Sequence, residues 1–356
     1  MLPKEKLLTL SIDVGESVLL ALKQMDRENA KLLIVTKSNK YFSLLSIGDI
    51  QRAIIKNVSL KTPIQKILRE QVRVAQSSDS YKKVKEVMEK YSAEFMPILD
   101  EDNNLVDIRF WADIFDSKEP SGKKSLDLPV VIMAGGKGTR LKPITDMIPK
   151  ALVPVTDRPI IDLIIERFTE VGVNKFYVSI NHKGEMITNY FDSLDQKNYS
   201  IEFIKEEKPL GTAGSLHLLN GKIKSSFFIT NCDILIDQDY REIYKYHQEN
   251  NNELSIVSAL KHYPIAYGTL EVGKHGLLKK IEEKPEFTFM VNSGMYILEP
   301  HLLNEVPKNE LFHITELIEI IQKRKGRVGV FPVNESSWLD IGQWNEYNKV
   351  RKFFNK

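Results

Sequence analysis

Residues 128 to 155 read LPVVIMAGGKGTRLKPITDMIPKALVPV, and this stretch constrains the fold more than any other. It opens with Val130-Val131-Ile132-Met133, an apolar run long enough for a buried strand. Ala134, Gly135, Gly136, Lys137 and Gly138 follow, with three glycines in four positions. Glycine permits φ > 0 and lets a ligand approach the main chain with no Cβ in the way. A buried strand, a glycine loop and then cations is how α/β folds hold phosphates at the carboxyl end of a strand. The cations are Lys137, Arg140 and Lys150. On the loop alone, a surface turn with solvated charges would read the same way.

Two phosphate loops can be excluded. A Walker A loop needs Gly-Lys-Ser/Thr, and Gly138 is followed by Thr139. A dinucleotide fingerprint needs a third glycine where Leu141 stands. The segments Gly135-Gly136-Lys137-Gly138-Thr139-Arg140-Leu141-Lys142-Pro143-Ile144-Thr145 and Pro149-Lys150-Ala151-Leu152-Val153-Pro154 instead resemble the signature of the nucleotide-sugar pyrophosphorylases. These are the sugar-1-phosphate nucleotidyltransferases, and the resemblance covers residues 128 to 356. It implies a Rossmann-like, mixed but mostly parallel α/β sheet. It also implies that Ala134, Gly135, Gly136 and Gly138 bind nucleotide, and that Arg140 and Lys150 meet phosphate.

The chain has 356 residues, enough for more than one domain. Lysine plus arginine number 50 and aspartate plus glutamate 48, with the signs mixed throughout. No basic stripe marks a nucleic-acid partner, and none is expected. The single Cys232 excludes an intrachain disulfide framework and fits a reducing cytoplasm. No signal peptide and no membrane span are expected, because no apolar run approaches about 18 residues.

Residues 1 to 116 carry a weak internal duplication. Met25 and Met88 fall at equivalent places, as do Val35 and Ile98, and Asp49 and Asp113. Each copy reads as helix, strand, turn, strand and helix start, with Asn39-Lys40 and Asp102-Asn103-Asn104 at the turns. Neither copy can bury a core alone, so the two should pack together. The layout resembles a tandem pair of CBS modules, an α+β domain. Such pairs commonly bind adenine nucleotides and often dimerise, so a homo-oligomer is expected. Ser46-Ile47-Gly48-Asp49 resembles the family's ribose-binding Ser/Thr-x-x-Asp. Phe110-Trp111-Ala112-Asp113 has Phe in the hydroxyl position, a departure that bears on the second nucleotide site. Asp49 as a plain helix cap is the competing reading. Residues 117 to 127, rich in Ser, Gly, Pro and charge, read as a linker.

From residue 128 onward, strands alternate with helices, which argues a mostly parallel sheet covered on both faces. Lys208-Pro209-Leu210-Gly211-Thr212-Ala213-Gly214 is a second glycine loop, and the resemblance places Gly211 and Thr212 at the nucleobase. Glu206 lies just upstream. A carboxylate is acceptor-only, and guanine offers two adjacent donors where thymine and uracil offer one. Glu206 therefore favours GTP, with a thymidylyl- or uridylyltransferase as the alternative. A solvated surface glutamate is the bland reading.

Asp233 closes the strand signal Phe227-Phe228-Ile229-Thr230, where an unpaired carboxylate would be costly. The resemblance makes Asp233 the first Mg²⁺ ligand, with Cys232 replacing the usual glycine. It makes Trp338-Leu339-Asp340-Ile341-Gly342 the segment bringing the second ligand, Asp340. It implies sugar contacts at Gly268, Glu283 and Asn292, and sugar-phosphate binding at Lys284. The expected reaction joins a nucleoside triphosphate to a sugar-1-phosphate and releases pyrophosphate. Glucosamine-1-phosphate and mannose-1-phosphate are both permitted.

Overall fold

The computed structural model describes residues 4–69, 72–91, 93, 95–114, 125–194, 198–342, 344 and 346–348. The chain divides into two compact units, Met1–Lys124 and Ser125–Lys356. Residues 115–124, most of the expected linker, lie outside the described residues. Leu126 is buried, and its N–H donates to Val171 O within the second unit.

The first unit holds two three-stranded sheets. In one, β1 (Ser11–Asp13) runs parallel to β2 (Leu32–Lys37), which is antiparallel to β3 (Lys40–Ser46). In the other, β4 (Ala75–Gln76), β5 (Phe95–Leu99) and β6 (Leu105–Phe110) repeat that arrangement. Val35 pairs with Ile12 and Ser43, and Ile98 pairs with Ala75 and Asp107; each β-bulge falls one step later. Ser17 caps the helix Val18–Glu28 by accepting the Leu20 N–H at 3.2 Å. Val18, Ala21, Leu22 and Met25 form its buried stripe.

The second unit is built on a seven-stranded sheet. Its strands are β7 (Val130–Met133), β8 (Lys175–Ile180), β9 (Ser200–Lys205), β10 (Phe227–Asn231), β12 (Leu254–Pro264), β15 (Glu286–Leu298) and β16 (Val328–Val333). The order is β16-β12-β15-β10-β7-β8-β9. Only β15 runs against its neighbours β10 and β12; the other pairings are parallel. Outside the sheet, β11 (Ile234–Ile236) pairs with β17 (Trp338–Asp340), and β13 (Thr269–Val272) with β14 (Leu278–Glu282).

Both faces of this sheet are covered, which is why its central strands are continuous apolar runs rather than alternating ones. Val131 and Ile229 pack with Leu317 and Ile321 of the helix Ile314–Lys323. Phe228 points the other way, to Phe168 of the helix Ile160–Thr169 (ring centroids 5.3 Å apart). Phe168 also meets Tyr240 at 4.4 Å and Phe176 at 6.4 Å. That helix gives way to Gly172, whose φ is +99°; a Cβ there would lie 1.8 Å from Ser125 Oγ. Among the described residues, no helix is long and apolar enough to cross a membrane.

Phe168→Ala should remove this aromatic junction and destabilise the second unit by about 3–5 kcal/mol. Urea unfolding followed by tryptophan fluorescence would measure it; an unchanged midpoint would contradict the packing account.

Candidate active site

The parallel strands β7, β8, β9 and β10 end on one side, and the chemistry-bearing residues follow them there. After β7, Ala134 is buried and donates its N–H to Ser179 O at 2.9 Å, which extends the ladder by one step. Gly135 then passes against Glu206: a Cβ on Gly135 would lie 2.9 Å from Glu206 Oε1. At Gly136 an added Cβ would meet nothing within 4 Å, so the loop faces open space there. Gly138 turns with φ +64°, and a Cβ on it would press on Thr145 and Lys150.

Lys150 and Asp233 form an ion pair, and both side chains are nearly buried. Asp340 reaches the same place from a distant part of the sequence. Strand β17 pairs with β11 so that Asp340 lies opposite Ile234, and Ile341 donates its N–H to Asp233 O at 3.1 Å. Burial and the neighbouring Asp233 push the Asp340 pKa up, while the Gly342 N–H, Lys150 and Arg140 pull it back. Burial and Asp233 also push the Cys232 thiol up to about 12, so it stays neutral.

The position a Cβ of Gly342 would occupy lies 2.7 Å from Asp340 Oδ1, 3.1 Å from Asp233 Oδ2 and 3.2 Å from Arg140 Nη2. Two like charges drawn together in a desolvated cradle suit a divalent cation. Among the described residues, no three or more His, Cys, Asp or Glu side chains group as a metal site. Two protein carboxylates, completed by phosphate oxygens and water, are a donor set typical of Mg²⁺.

Glu206 is buried, which overturns the reading of a solvated surface glutamate. Its Oε1 accepts the Ser179 hydroxyl at 2.6 Å, and its Oε2 accepts the Leu210 N–H at 3.2 Å. Asn181 Nδ2 donates to the Glu206 carbonyl at 2.8 Å. The carboxylate therefore ties the first glycine loop to the second. The second loop is fixed in turn to residues 312–314. Ala213 and Gly214 donate to Phe312 O, and Ile314 donates to Thr212 Oγ1. Gly211 has φ +81° and leaves only 2.6 Å between an added Cβ and Phe312 O.

Gly268 and Glu283 meet on the β13–β14 ribbon, where a Cβ on Gly268 would lie 2.8 Å from Glu283 Oε2. Lys284 follows with φ +45°, exposed, and it makes no ion pair among the described residues. Asn292 lies on β15, and its Oδ1 accepts the Gly294 N–H at 3.1 Å. Trp338 Nε1 donates to Ser293 O at 3.2 Å, which joins β15 to the strand bearing Asp340. Among the described residues, no hydrogen bond or ion pair joins Gly268, Glu283 or Lys284 to the carboxylate pair.

Several residues went unread in the sequence. Ser179 and Asn181 stand at the end of β8, where the strand-end rule could have found them. Lys183 Nζ donates to Thr145 O at 2.9 Å and Asp146 O at 2.6 Å, and Trp344 Nε1 to Lys142 O at 3.0 Å; both pin the loop ahead of Lys150. His313 lies beside Gly211 only because of the fold, and no sequence signal marks it.

In the first unit, Asp49 is buried and closes a capping box. Its Oδ2 accepts the Ser46 N–H at 2.9 Å and the Ser46 hydroxyl at 2.6 Å. Its Oδ1 accepts Arg69 Nε at 2.7 Å and pairs with Arg52. Burial alone would raise its pKa, but the bonds from Ser46 and Arg69 bring it below the ordinary value. A cavity of about 620 Å³ nearby is lined by residues including Tyr41, Phe42, Arg69 and Arg73. The side chain of Asp113 lies outside the described residues.

A strand-end glycine loop beside a nearly buried lysine and two converging carboxylates is an arrangement suited to phosphate. Residues 129–356 match the Nucleotidyl transferase family, and the chain belongs to it. Among curated proteins, it is 31% identical over 229 residues to probable mannose-1-phosphate guanylyltransferase 3 of Oryza sativa subsp. japonica, covering 62% of this chain and 63% of that protein. It is 32% identical over 225 residues to the mannose-1-phosphate guanyltransferase of Kluyveromyces lactis, covering 61% and 62%. The chain thus spans a little under two thirds of the length of these relatives. Among solved structures, HddC from Yersinia pseudotuberculosis is 28% identical with a TM-score of 0.52, covering 64% of this chain and 99% of that one. The same protein complexed with GMP-PN gives 27% and 0.51.

Gly342→Ala should fill the cradle between the carboxylates and weaken Mn²⁺ binding by about tenfold or more, by analogy with other losses around metal sites. An EPR titration would read this directly; unchanged affinity would mean the cation sits elsewhere.

Proposed function

We propose that residues 125–356 transfer a guanylyl group from GTP to a sugar-1-phosphate, releasing pyrophosphate and forming a GDP-sugar. The observation that carries this reading is the approach of Asp340 to the Lys150–Asp233 ion pair, beside a glycine loop open at Gly136. A phosphate oxygen of the sugar-1-phosphate attacks the α-phosphorus in line with the departing pyrophosphate. Such transfer relies on positioning and charge neutralisation, with no covalent enzyme intermediate. Arg140 and the main chain of residues 134–138 take the triphosphate, where a planar guanidinium spans two oxygens. Lys150 sits between the phosphates of the two substrates, and Lys284 holds the nucleophile. Mg²⁺, held by Asp233 and Asp340, supplies charge neutralisation at the α-phosphate when bound.

The guanine preference rests on Glu206. Its carboxylate is held at the mouth of β9 by Ser179 and the Leu210 N–H, and its remaining lone pairs can accept adjacent donors. The mannose-1-phosphate guanylyltransferase names of the relatives and the GMP-PN bound to HddC agree with that preference. Glu283, Gly268 and Asn292 are the proposed sugar contacts, and mannose-1-phosphate and glucosamine-1-phosphate are the candidate sugars. The same mechanism would operate with UTP or dTTP if Glu206 did not read the base.

The N-terminal unit is read as a CBS pair, on the shared strand pattern and register of its two sheets. Its cavity is large enough for an adenine nucleotide, with Arg69 and Arg73 to meet phosphate. Asp49 already holds Arg52, Arg69 and Ser46, so a ribose would compete with these groups for it.

Pyrophosphate release across four triphosphates and a panel of sugar-1-phosphates tests the main reading. Turnover with GTP and mannose- or glucosamine-1-phosphate is expected; turnover with UTP or dTTP alone would overturn the role of Glu206. Asp233→Asn should lower kcat by about 10²-fold or more with circular dichroism unchanged. Adding AMP or ATP should shift the rate or the melting temperature; if it moves neither, the regulatory cleft is refuted.

A further inference from the structure

Residues 139–150 carry both cations assigned to phosphate, Arg140 and Lys150, yet this segment has little regular structure to hold its own shape. It contains one turn of 3₁₀ helix, Thr139–Leu141, and one turn of α-helix, Ile144–Met147. Helices this short are not stable alone in water. Their last carbonyls also lack partners within the helix.

Lys183 supplies such partners from another strand. It stands three residues beyond the end of β8 and is half-buried. Its Nζ donates to Thr145 O at 2.9 Å and to Asp146 O at 2.6 Å. Both carbonyls belong to the turn Ile144–Met147, and a lysine at a helix end commonly bonds such groups. The Lys183 backbone is left-handed, with φ +55°. That conformation is disfavoured for a lysine, and strained residues concentrate at functional sites.

Thr145 passes the constraint on. It is buried, and its hydroxyl donates to Gly138 O at 2.9 Å. The place a Gly138 Cβ would take is closed by Thr145 Cγ2 at 2.9 Å and Lys150 Cβ at 3.1 Å. The threonine, the glycine turn and Lys150 are therefore packed against one another, two residues before Arg140. The same strand end also braces the other loop. Ser179 and Asn181 bond Glu206, and Lys183 follows two residues later.

We propose that Lys183 is a positioning residue, whose ammonium group latches residues 139–150 so that Arg140 and Lys150 meet the phosphates in register. The proposal rests on the guanylyl-transfer reading above. Lys183 touches no substrate; it acts through the two carbonyls, and its three donors on one atom are enough for both. Displacing a reacting group by about 1 Å can cost about 10²-fold in rate. The proposed sugar contacts lie on other elements, so sugar binding is spared.

The test compares Lys183→Met with Lys183→Arg in the full chain. Lys183→Met should lower kcat by about 10²-fold with circular dichroism unchanged, while the KM for mannose-1-phosphate moves much less. Lys183→Arg keeps a cationic donor and should recover most of that loss. Hydrogen exchange of amides 139–149 should quicken in Lys183→Met and not in Lys183→Arg. Where Lys183→Met does not fold, Thr145→Val breaks the next link at nearly constant shape and should also lower kcat. Native kcat in a folded Lys183→Met or Thr145→Val would overturn the proposal, as would an arginine variant no better than the methionine one. A native chain that turns over nothing with GTP would sink the guanylyl-transfer reading instead. In that event, exchange at 139–149 left unmoved by Lys183→Met would overturn the latch, and faster exchange would uphold it.

Discussion

Everything in the second unit converges on two carboxylates that must share one desolvated place. Asp233 follows the buried strand β10 by two residues and is held by Lys150; Asp340 is brought beside it by a short antiparallel pair. Burial and mutual repulsion oppose this arrangement, and the cost is visible in the raised pKa of Asp340. Nearby cations offset it: Lys150 on Asp233, Arg140 beside Asp340. Removing one partner would leave the other charge buried without compensation. The glycine at position 342 then follows from space, since any side chain would enter the gap between the oxygens.

A second buried carboxylate organises the other side of the cleft. Glu206 links β8 through Ser179, the first glycine loop through its contact with Gly135, and the second loop through Leu210. The base reading assigned to it and this bracing are compatible, because a carboxylate has about four lone-pair sites and among the described residues two hydrogen bonds reach it. The same carboxylate that meets a base would also set the distance between the two loops. Asp49 in the N-terminal unit shows the opposite balance: its oxygens are taken up by Ser46, Arg52 and Arg69. Its helix-capping role is therefore present in the structure alongside any ligand role.

Two of the three proposed sugar contacts, Gly268 and Glu283, lie at the ribbon between β12 and β15, and the third, Asn292, lies on β15 itself. Gly268 and Glu283 flank a two-stranded element whose Leu270, Val272, Leu278 and Ile281 are exposed, unlike the glycine loops, which are pinned to the sheet. Elements with few buried contacts are the ones that open most readily. The proposed nucleotide contacts are thus built on the ends of sheet strands, whereas of the proposed sugar contacts only Asn292 lies on the sheet, and Gly268 and Glu283 lie at a hairpin.

The sequence by itself determined the local parts. The apolar run at 130–133 and the glycines after it specify a strand and a turn, because those preferences reside in the residues themselves. The resemblance to the nucleotide-sugar pyrophosphorylases marked Lys150, Asp233 and Asp340, and alternating elements marked a mostly parallel sheet. The matching pattern of the two small N-terminal sheets follows the spacing seen between Val35 and Ile98. Only the tertiary structure decided what depends on contacts across long sequence separations. It buried Glu206, bonded it to Ser179, set His313 against Gly211 and left the apolar side chains of the β13–β14 ribbon exposed. It also placed β15 antiparallel inside an otherwise parallel sheet, because strand direction is set by which neighbour completes the ladder. Burial and proximity are properties of the packed chain, and no local pattern around Glu206 or His313 encodes them.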